Sequence, residues 1–353
     1  MRPDFGVVRR LVAEATAARA FPAAAIEVGR HDGALWEWAY GRLTYADDSP
    51  PVTSETLFDL ASLTKVIATT ALAMRLIAQR RLLLNAPVAS YVGEWRGRDR
   101  ERVTIGDLLE HCAGFVTWSD VYRRAESRRE FVHEIATMPL EYAPRSRSIY
   151  SDLGFILLGL ILEDVAGRSL ADQFADRLGE RDLTYKPARA ERVRTAPTED
   201  DRTLRGRLLV GEVHDENAWR LGGVAGHSGL FGTGPAVGRF ARLVLTTLRT
   251  STALGEPWLL GRFLQQSTVP QSSRALGWDR MRPTSSCGRR FTPAAFGHTG
   301  FTGTSLWIDP VLDLYVVFLT NRVYPTRPSD PIDGLARLRP RLHEAVVDAV
   351  RLQ

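Results

Sequence analysis

Lysine is almost missing from this chain. Among 353 residues only Lys65 and Lys186 occur, and the rest of the basic charge is carried by 44 arginines. Two cysteines, Cys112 and Cys287, are too few for a disulfide framework and read as free thiols of a reducing compartment. No apolar run reaches the roughly 18 residues a membrane-spanning helix needs. The N-terminus lacks a basic opening followed by an apolar segment and a small-residue cleavage site, so a cytoplasmic location is expected. The net charge of +5 is not gathered into any basic run, which argues against nucleic acid as a partner and leaves the arginine excess as a coding bias. There is no internal repeat and no low-complexity tract.

What is present is an ordinary globular composition, 44% hydrophobic and 25% charged. A chain of this length is expected to form one unit over residues 1–353, built from two lobes. "DFGVVRRLVAEATAARA" has the spacing of an amphipathic helix. "AAAIEVGR" and "ALWEWAYGRL", separated by "HDG", read as a hairpin. "TLFDLAS" reads as a short strand ending at Ser62, followed by an apolar helix from Thr64 to Arg80. In the middle, "TIGDLLEHCAG" and "DLGFILLGLILEDVAGRSL" read as helices that each stop at a glycine, and 186 to 220 as polar loops. Strands return in "FGHTGFTGTSLWIDP" and "LDLYVVFLTNR", before a final helix over roughly 333 to 352. The expected fold class is α/β (α+β). An antiparallel sheet would come from 1–70 and 270–353, flanked by terminal helices, with a mainly helical lobe over 71–269.

Three short stretches carry chemistry. Ser62 stands at a strand-to-helix junction, where unpaired helix-start N–H groups favour developing negative charge. Lys65 follows one turn later, so both side chains face the same way. A serine hydroxyl needs a base to become a nucleophile, and a buried lysine can release a proton where arginine cannot. The bland alternative is a capping serine beside a surface lysine. The second stretch is Tyr150-Ser151-Asp152 at the start of an apolar helix, where a tyrosine near a cation can shuttle protons. The third is His298-Thr299-Gly300 on a strand, with Gly300 and Gly303 leaving room for a ligand against the backbone. Phe115 and Trp118 in "GFVTW" read equally as core packing or as a wall of an acyl pocket. "HDEN", His214 to Asn217, with His227 lacks metal-ligand spacing and reads as a turn lining a cleft, so no metal and no cofactor is expected.

In this order the three stretches resemble the S-x-x-K, Y-x-N and K/H-T-G boxes of serine β-lactamases and penicillin-binding enzymes. The class C branch, with its D-alanyl-D-alanine carboxypeptidases, esterases and related amidases, is the nearest fit, and "TIGDLLEHCAGF" and "GHSGLFGTG" are similar to further landmarks of it. The resemblance implies a β-lactamase/transpeptidase-like fold and an acyl-Ser62 intermediate, with Lys65 and Tyr150 relaying protons. It also implies an oxyanion hole at the backbone N–H groups of Ser62 and Phe301, and substrate contacts at Asp152, His298, Thr299 and Gly300. The expected substrate is a small ester, an amide or a peptidoglycan fragment. β-Lactamase or carboxypeptidase action is the alternative within the class, and a non-catalytic penicillin- or peptide-binding sensor the alternative outside it.

Two positions depart from the family pattern. Asp152 stands where β-lactamases usually have asparagine; an ionised Asp only accepts hydrogen bonds, and its charge favours a protonated Lys65. His298 replaces a lysine and is expected to be only partly charged near neutral pH, a weaker anchor for a carboxylate. Both departures argue against efficient β-lactam hydrolysis.

Overall fold

The computed structural model describes residues 3–327 and 334–351. The first strands are β1 (Ala23–Arg30), β2 (Gly33–Gly41) and β3 (Phe58–Asp59). The middle of the chain carries β4 (Leu183–Tyr185), β5 (Asp200–Asp201), β6 (Arg207–Leu208) and β7 (Leu230–Gly232). The last are β8 (Asp279–Arg280), β9 (Phe296–Thr299), β10 (Ser305–Asp309) and β11 (Leu314–Thr320). Six of them form an antiparallel sheet in the order β2-β1-β11-β10-β9-β8. The two ends of the chain therefore meet at its centre, where β1 pairs with β11 and Ile26 stands opposite Phe318.

Period-two alternation explains why this sheet is covered on both faces. In β11, Leu314, Val316 and Phe318 join one buried cluster, whereas Tyr315, Val317 and Leu319 join another. The first cluster lies under α1 (Gly6–Ala17) and the closing α10 (Gly334–Arg351), which contribute Val8, Val12, Leu342 and Val346. The second continues into the helical part of the molecule. Each fully buried Val, Leu or Phe there contributes about 1.5–3 kcal/mol of transfer free energy.

That helical part holds α2 (Ala71–Ala78), α3 (Ile105–Leu109), α4 (Arg128–Thr137), α5 (Asp152–Ala166), α6 (Leu170–Ala175) and α7 (Glu216–Arg220). α8 (Gly234–Thr247) and α9 (Pro257–Phe263) follow. α5 is apolar nearly all round and is buried accordingly, with Gly167 in the left-handed conformation ending it as expected. α3 stops earlier than its sequence suggested, because His111 turns back with φ 55°. The expected helical lobe over 71–269 needs two corrections. Its strands β4 and β7 join β3, from outside it, in a three-stranded sheet, and its helix α8 lies on the main sheet beside β1 and β11. Arg242 of α8 donates to buried Glu27 of β1 across that contact, 2.6 Å away. The polar stretch 186–220 contains the β5–β6 hairpin and α7. Residues 333 and 352, at the edges of the expected last helix, lie outside the described residues.

Candidate active site

The site begins at a braced turn. β3 ends at Asp59, short of Ser62, and Ala61 then adopts φ 47°, a left-handed conformation that costs a non-glycine residue on the order of 1 kcal/mol. Asp59 is buried and holds the turn from inside: Oδ1 accepts the Ala61 N–H at 2.8 Å and Oδ2 the His214 N–H at 2.7 Å. Thr302 Oγ1 donates to the Asp59 carbonyl at 2.7 Å and Thr304 Oγ1 to that of Leu60 at 2.9 Å. Gly300 sits in this contact. A Cβ there would fall 2.1 Å from Thr304 Oγ1 and 2.6 Å from the Leu60 oxygen. Its glycine is thus required by packing of the third box against the Ser62 turn.

The helix after Ser62 is not uniformly α. Lys65–Thr70 forms a wide π-type segment before α2, a geometry frequent at functional sites. Lys65 is fully buried. Its ammonium donates to Ser62 Oγ at 2.9 Å, to Asp152 Oδ1 at 2.7 Å and to the His227 carbonyl at 3.1 Å, which uses all three N–H groups. Burial alone would strip its proton, but Asp152 and Tyr150 outweigh that and hold the pKa above the usual lysine value.

Ser151, not Asp152, caps α5, accepting the Leu153 N–H. Asp152 is the first helical residue, with its side chain free to meet Lys65. Tyr150 Oη lies 2.6 Å from Ser62 Oγ and 3.2 Å from Asp152 Oδ1. Burial and Asp152 raise the Tyr150 pKa, partly offset by Lys65, so the phenol is neutral. His111 clamps this segment: its carbonyl accepts the Ile149 N–H at 3.0 Å, its Nδ1 the Ser151 N–H at 3.1 Å, and its ring stacks near Tyr150 with centroids 4.8 Å apart.

His298 is buried next to Tyr150, centroids 5.8 Å apart. Burial, then Lys65 and Arg274, push its pKa well below the ordinary histidine value. It is neutral, so the expectation of a partly charged anchor is corrected. Its Nδ1 lies 2.7 Å from the Thr299 carbonyl, which places the proton there and leaves Nε2 as an acceptor.

These groups open onto a cleft of about 570 Å³, and Ser62, Asp152, Thr299, Gly300 and Phe301 line it. Trp118 and Phe301 stand exposed at its rim, 46% and 48% accessible. Phe115 does not reach it: it is 2% exposed and packs edge-on against buried Trp95, so its pocket-wall reading is withdrawn. The "HDEN" turn does line the cleft through His214, Asp215 and Glu216. Asp215 is paired with His227 Nε2 at 2.6 Å; burial opposes its charge, yet His227 and the Ala218 N–H hold it below the usual carboxylate range. Sequence reasoning missed His111 and Arg274. Arg274 lines the cleft with its guanidinium 5.3 Å from the Tyr150 ring centre, and nothing distinguishes it in sequence from the other arginines. Among the described residues, the grouping suited to a metal is Asp107, Glu110 and Cys112, outside the cleft, and Arg145 already pairs with Asp107 at 2.6 Å.

Comparison with known proteins agrees with this geometry. The family profile described as Beta-lactamase matches residues 8–339. A candidate D-alanyl-D-alanine carboxypeptidase of Escherichia coli (strain K12) is 30% identical over 310 residues, 76% of this chain and 70% of that protein. A penicillin-binding protein homolog from Caulobacter crescentus superposes with a TM-score of 0.76 at 21% identity, covering 99% of this chain and 98% of its own. A class C beta lactamase from Rhodobacter sphaeroides does so with a TM-score of 0.75 at 20% identity, covering 97% and 99%. With a profile that spans nearly its whole length, the chain belongs to the beta-lactamase family of serine hydrolases.

Proposed function

We propose that this chain cleaves a carboxylic ester or amide through an acyl-Ser62 intermediate. The observation that carries the reading is the position of Ser62 Oγ in the cleft, 2.9 Å from Lys65 Nζ and 2.6 Å from Tyr150 Oη. Ser62 Oγ attacks the substrate carbonyl and its proton leaves toward Tyr150. The carbonyl oxygen becomes an oxyanion facing the backbone N–H groups of Ser62 and Phe301. Neither N–H has a hydrogen-bond partner among the described residues, so both are free to donate. Such a donor contributes about 10²–10³-fold in rate. The bond to the leaving group breaks as that group takes up a proton, and water releases the acyl chain by the reverse route.

The acyl group would lie toward Trp118 and Phe301, and small acyl esters are the expected readout. Asp152 presents a carboxylate where a β-lactam side-chain carbonyl would want a donor, and His298 brings no positive charge. Both features support slow β-lactam turnover. A second reading, cleavage of a peptide ending in a carboxylate such as a cell-wall fragment, is favoured by Arg274, a cation within the cleft. No cofactor, metal, nucleic acid or membrane enters either reading. The two buried free cysteines suit a cytoplasmic setting, and no helix among the described residues is long and apolar enough to cross a membrane.

Intact-mass measurement after mixing with p-nitrophenyl acetate should show one acetyl adduct on wild type and none on Ser62→Ala. The variant should keep its fold, with a stability change of at most about 2 kcal/mol, and should lose turnover. A wild type that acylates once and stops is a sensor; equal turnover in both proteins would sink the mechanism.

A further inference from the structure

Asp152 Oδ1 meets two groups at once, Lys65 Nζ at 2.7 Å and Tyr150 Oη at 3.2 Å. Counting protons limits what each contact can be. Lys65 spends its three N–H groups on Ser62, Asp152 and the His227 carbonyl. The carboxylate has no proton to give, and Tyr150 and Ser62 have one each. The Tyr150 hydroxyl is placed to donate to Ser62 Oγ at 2.6 Å or to Asp152 Oδ1 at 3.2 Å. Turning the Tyr150 hydrogen from Ser62 to Asp152 Oδ1 leaves Tyr150 Oη able to accept from Ser62 as the serine attacks.

We propose that Asp152 is the terminal proton acceptor of acylation, a relay residue acting through Tyr150. The inference rests on the acyl-Ser62 reading and deepens it. In the step, the Oγ–carbonyl bond forms as the Ser62 O–H bond breaks. Tyr150 gains that proton and passes its own to Asp152, and the carbonyl electron pair moves onto oxygen. On collapse, the bond to the leaving group breaks, Asp152 returns its proton to Tyr150, and Tyr150 delivers one to the departing atom. Lys65 stays an ammonium throughout and supplies charge. A neutral phenol can accept the serine proton only by releasing its own, which is why the carboxylate is needed behind it. An asparagine at this position could not take the proton.

The groups around the relay leave a readable pH window. His111 and His298 are held neutral by burial and nearby cations, and Lys65 stays charged. Asp215 is held ionised and is engaged with His227. A change of rate with pH in an Asp152→Asn variant therefore reads Lys65, the neighbouring cation that has lost its counter-charge.

The test is single-turnover acetylation by p-nitrophenyl acetate, followed by intact mass from pH 4 to 10, for wild type, Asp152→Asn and Asp152→Glu. Asp152→Asn should acylate about 100-fold more slowly at pH 7. It should recover as Lys65, freed of its counter-charge, loses its proton in alkali. Asp152→Glu should restore the rate to within about tenfold of wild type. The relay is overturned if Asp152→Asn stays within about threefold of wild type at pH 7 or is matched by Asp152→Glu. Absence of any adduct on wild type would instead overturn the acyl-Ser62 reading itself.

Discussion

Lys65 answers, at the scale of one residue, why an arginine-rich chain keeps a lysine there. Its slot is fully buried, with three acceptors converging on a single nitrogen. A planar guanidinium cannot place three N–H groups around that point, and its fork is bulkier. Lys65→Arg should therefore lose about as much kcat/KM on p-nitrophenyl acetate as Lys65→Ala, each at least about 100-fold. Retention of most of the rate in the arginine variant would mean that a positive charge anywhere in the slot suffices. Ser62, Lys65 and Tyr150 were legible because short motifs fix their spacing along the chain. Asp152 was legible as a departure from the family pattern, but not as a partner of Tyr150, since that depends on Ser151 taking the cap. Phe115 and Trp118, three residues apart, went opposite ways, and only the packing of Phe115 on Trp95 separates them.

Elements place these side chains by touching closely. α5 crosses the segment before His227 where Gly159 meets Gly226; a Cβ on Gly159 would lie 2.8 Å from the Gly226 backbone. The Gly226 carbonyl accepts Thr69 Oγ1 at 2.6 Å, and the next carbonyl, that of His227, receives Lys65. Gly159→Ala should thus cost about 1–3 kcal/mol, because backbone cannot rotate aside as a side chain can. It should also lower kcat more than it raises KM, by moving the His227 carbonyl off Lys65. Urea unfolding and steady-state kinetics on the same preparation check both parts, and an unchanged midpoint would show that the helix simply slides. The run from 152 to 167 read correctly as a helix because its apolar residues and terminal glycine agree. α3 ended early because His111 must turn to reach Ile149 and Ser151, a demand from distant chain that local spacing does not carry.

Over the whole molecule, both termini contribute to one sheet, and the strand-rich apolar runs at both ends of the chain made that readable. That α8 lies on the sheet was not readable, since an amphipathic helix does not name the surface it covers. Burial under α10 has a consequence for acid stability. His343, fully buried with Nδ1 on the Arg339 carbonyl, is pushed by burial from 6.5 down to about 4. The unfolded chain binds this proton first as pH falls, so the stability present above about pH 6.5 is lost on the way down through about pH 4. The loss from this group is about 3 kcal/mol. His343→Leu should flatten the fall in urea midpoint between pH 7 and pH 4, and parallel curves for the two proteins would contradict it. The threonine braces on the Ser62 turn have a consequence in time. Thr302 reaches the Asp59 carbonyl from 243 residues further along the chain. At about 5–20 residues per second, a ribosome needs roughly 10–50 s to supply that brace after the serine has been made. Through that interval the growing chain carries its nucleophile unbraced and the H-T-G strand unmade, so it emerges chemically silent and is armed only by its own last strands.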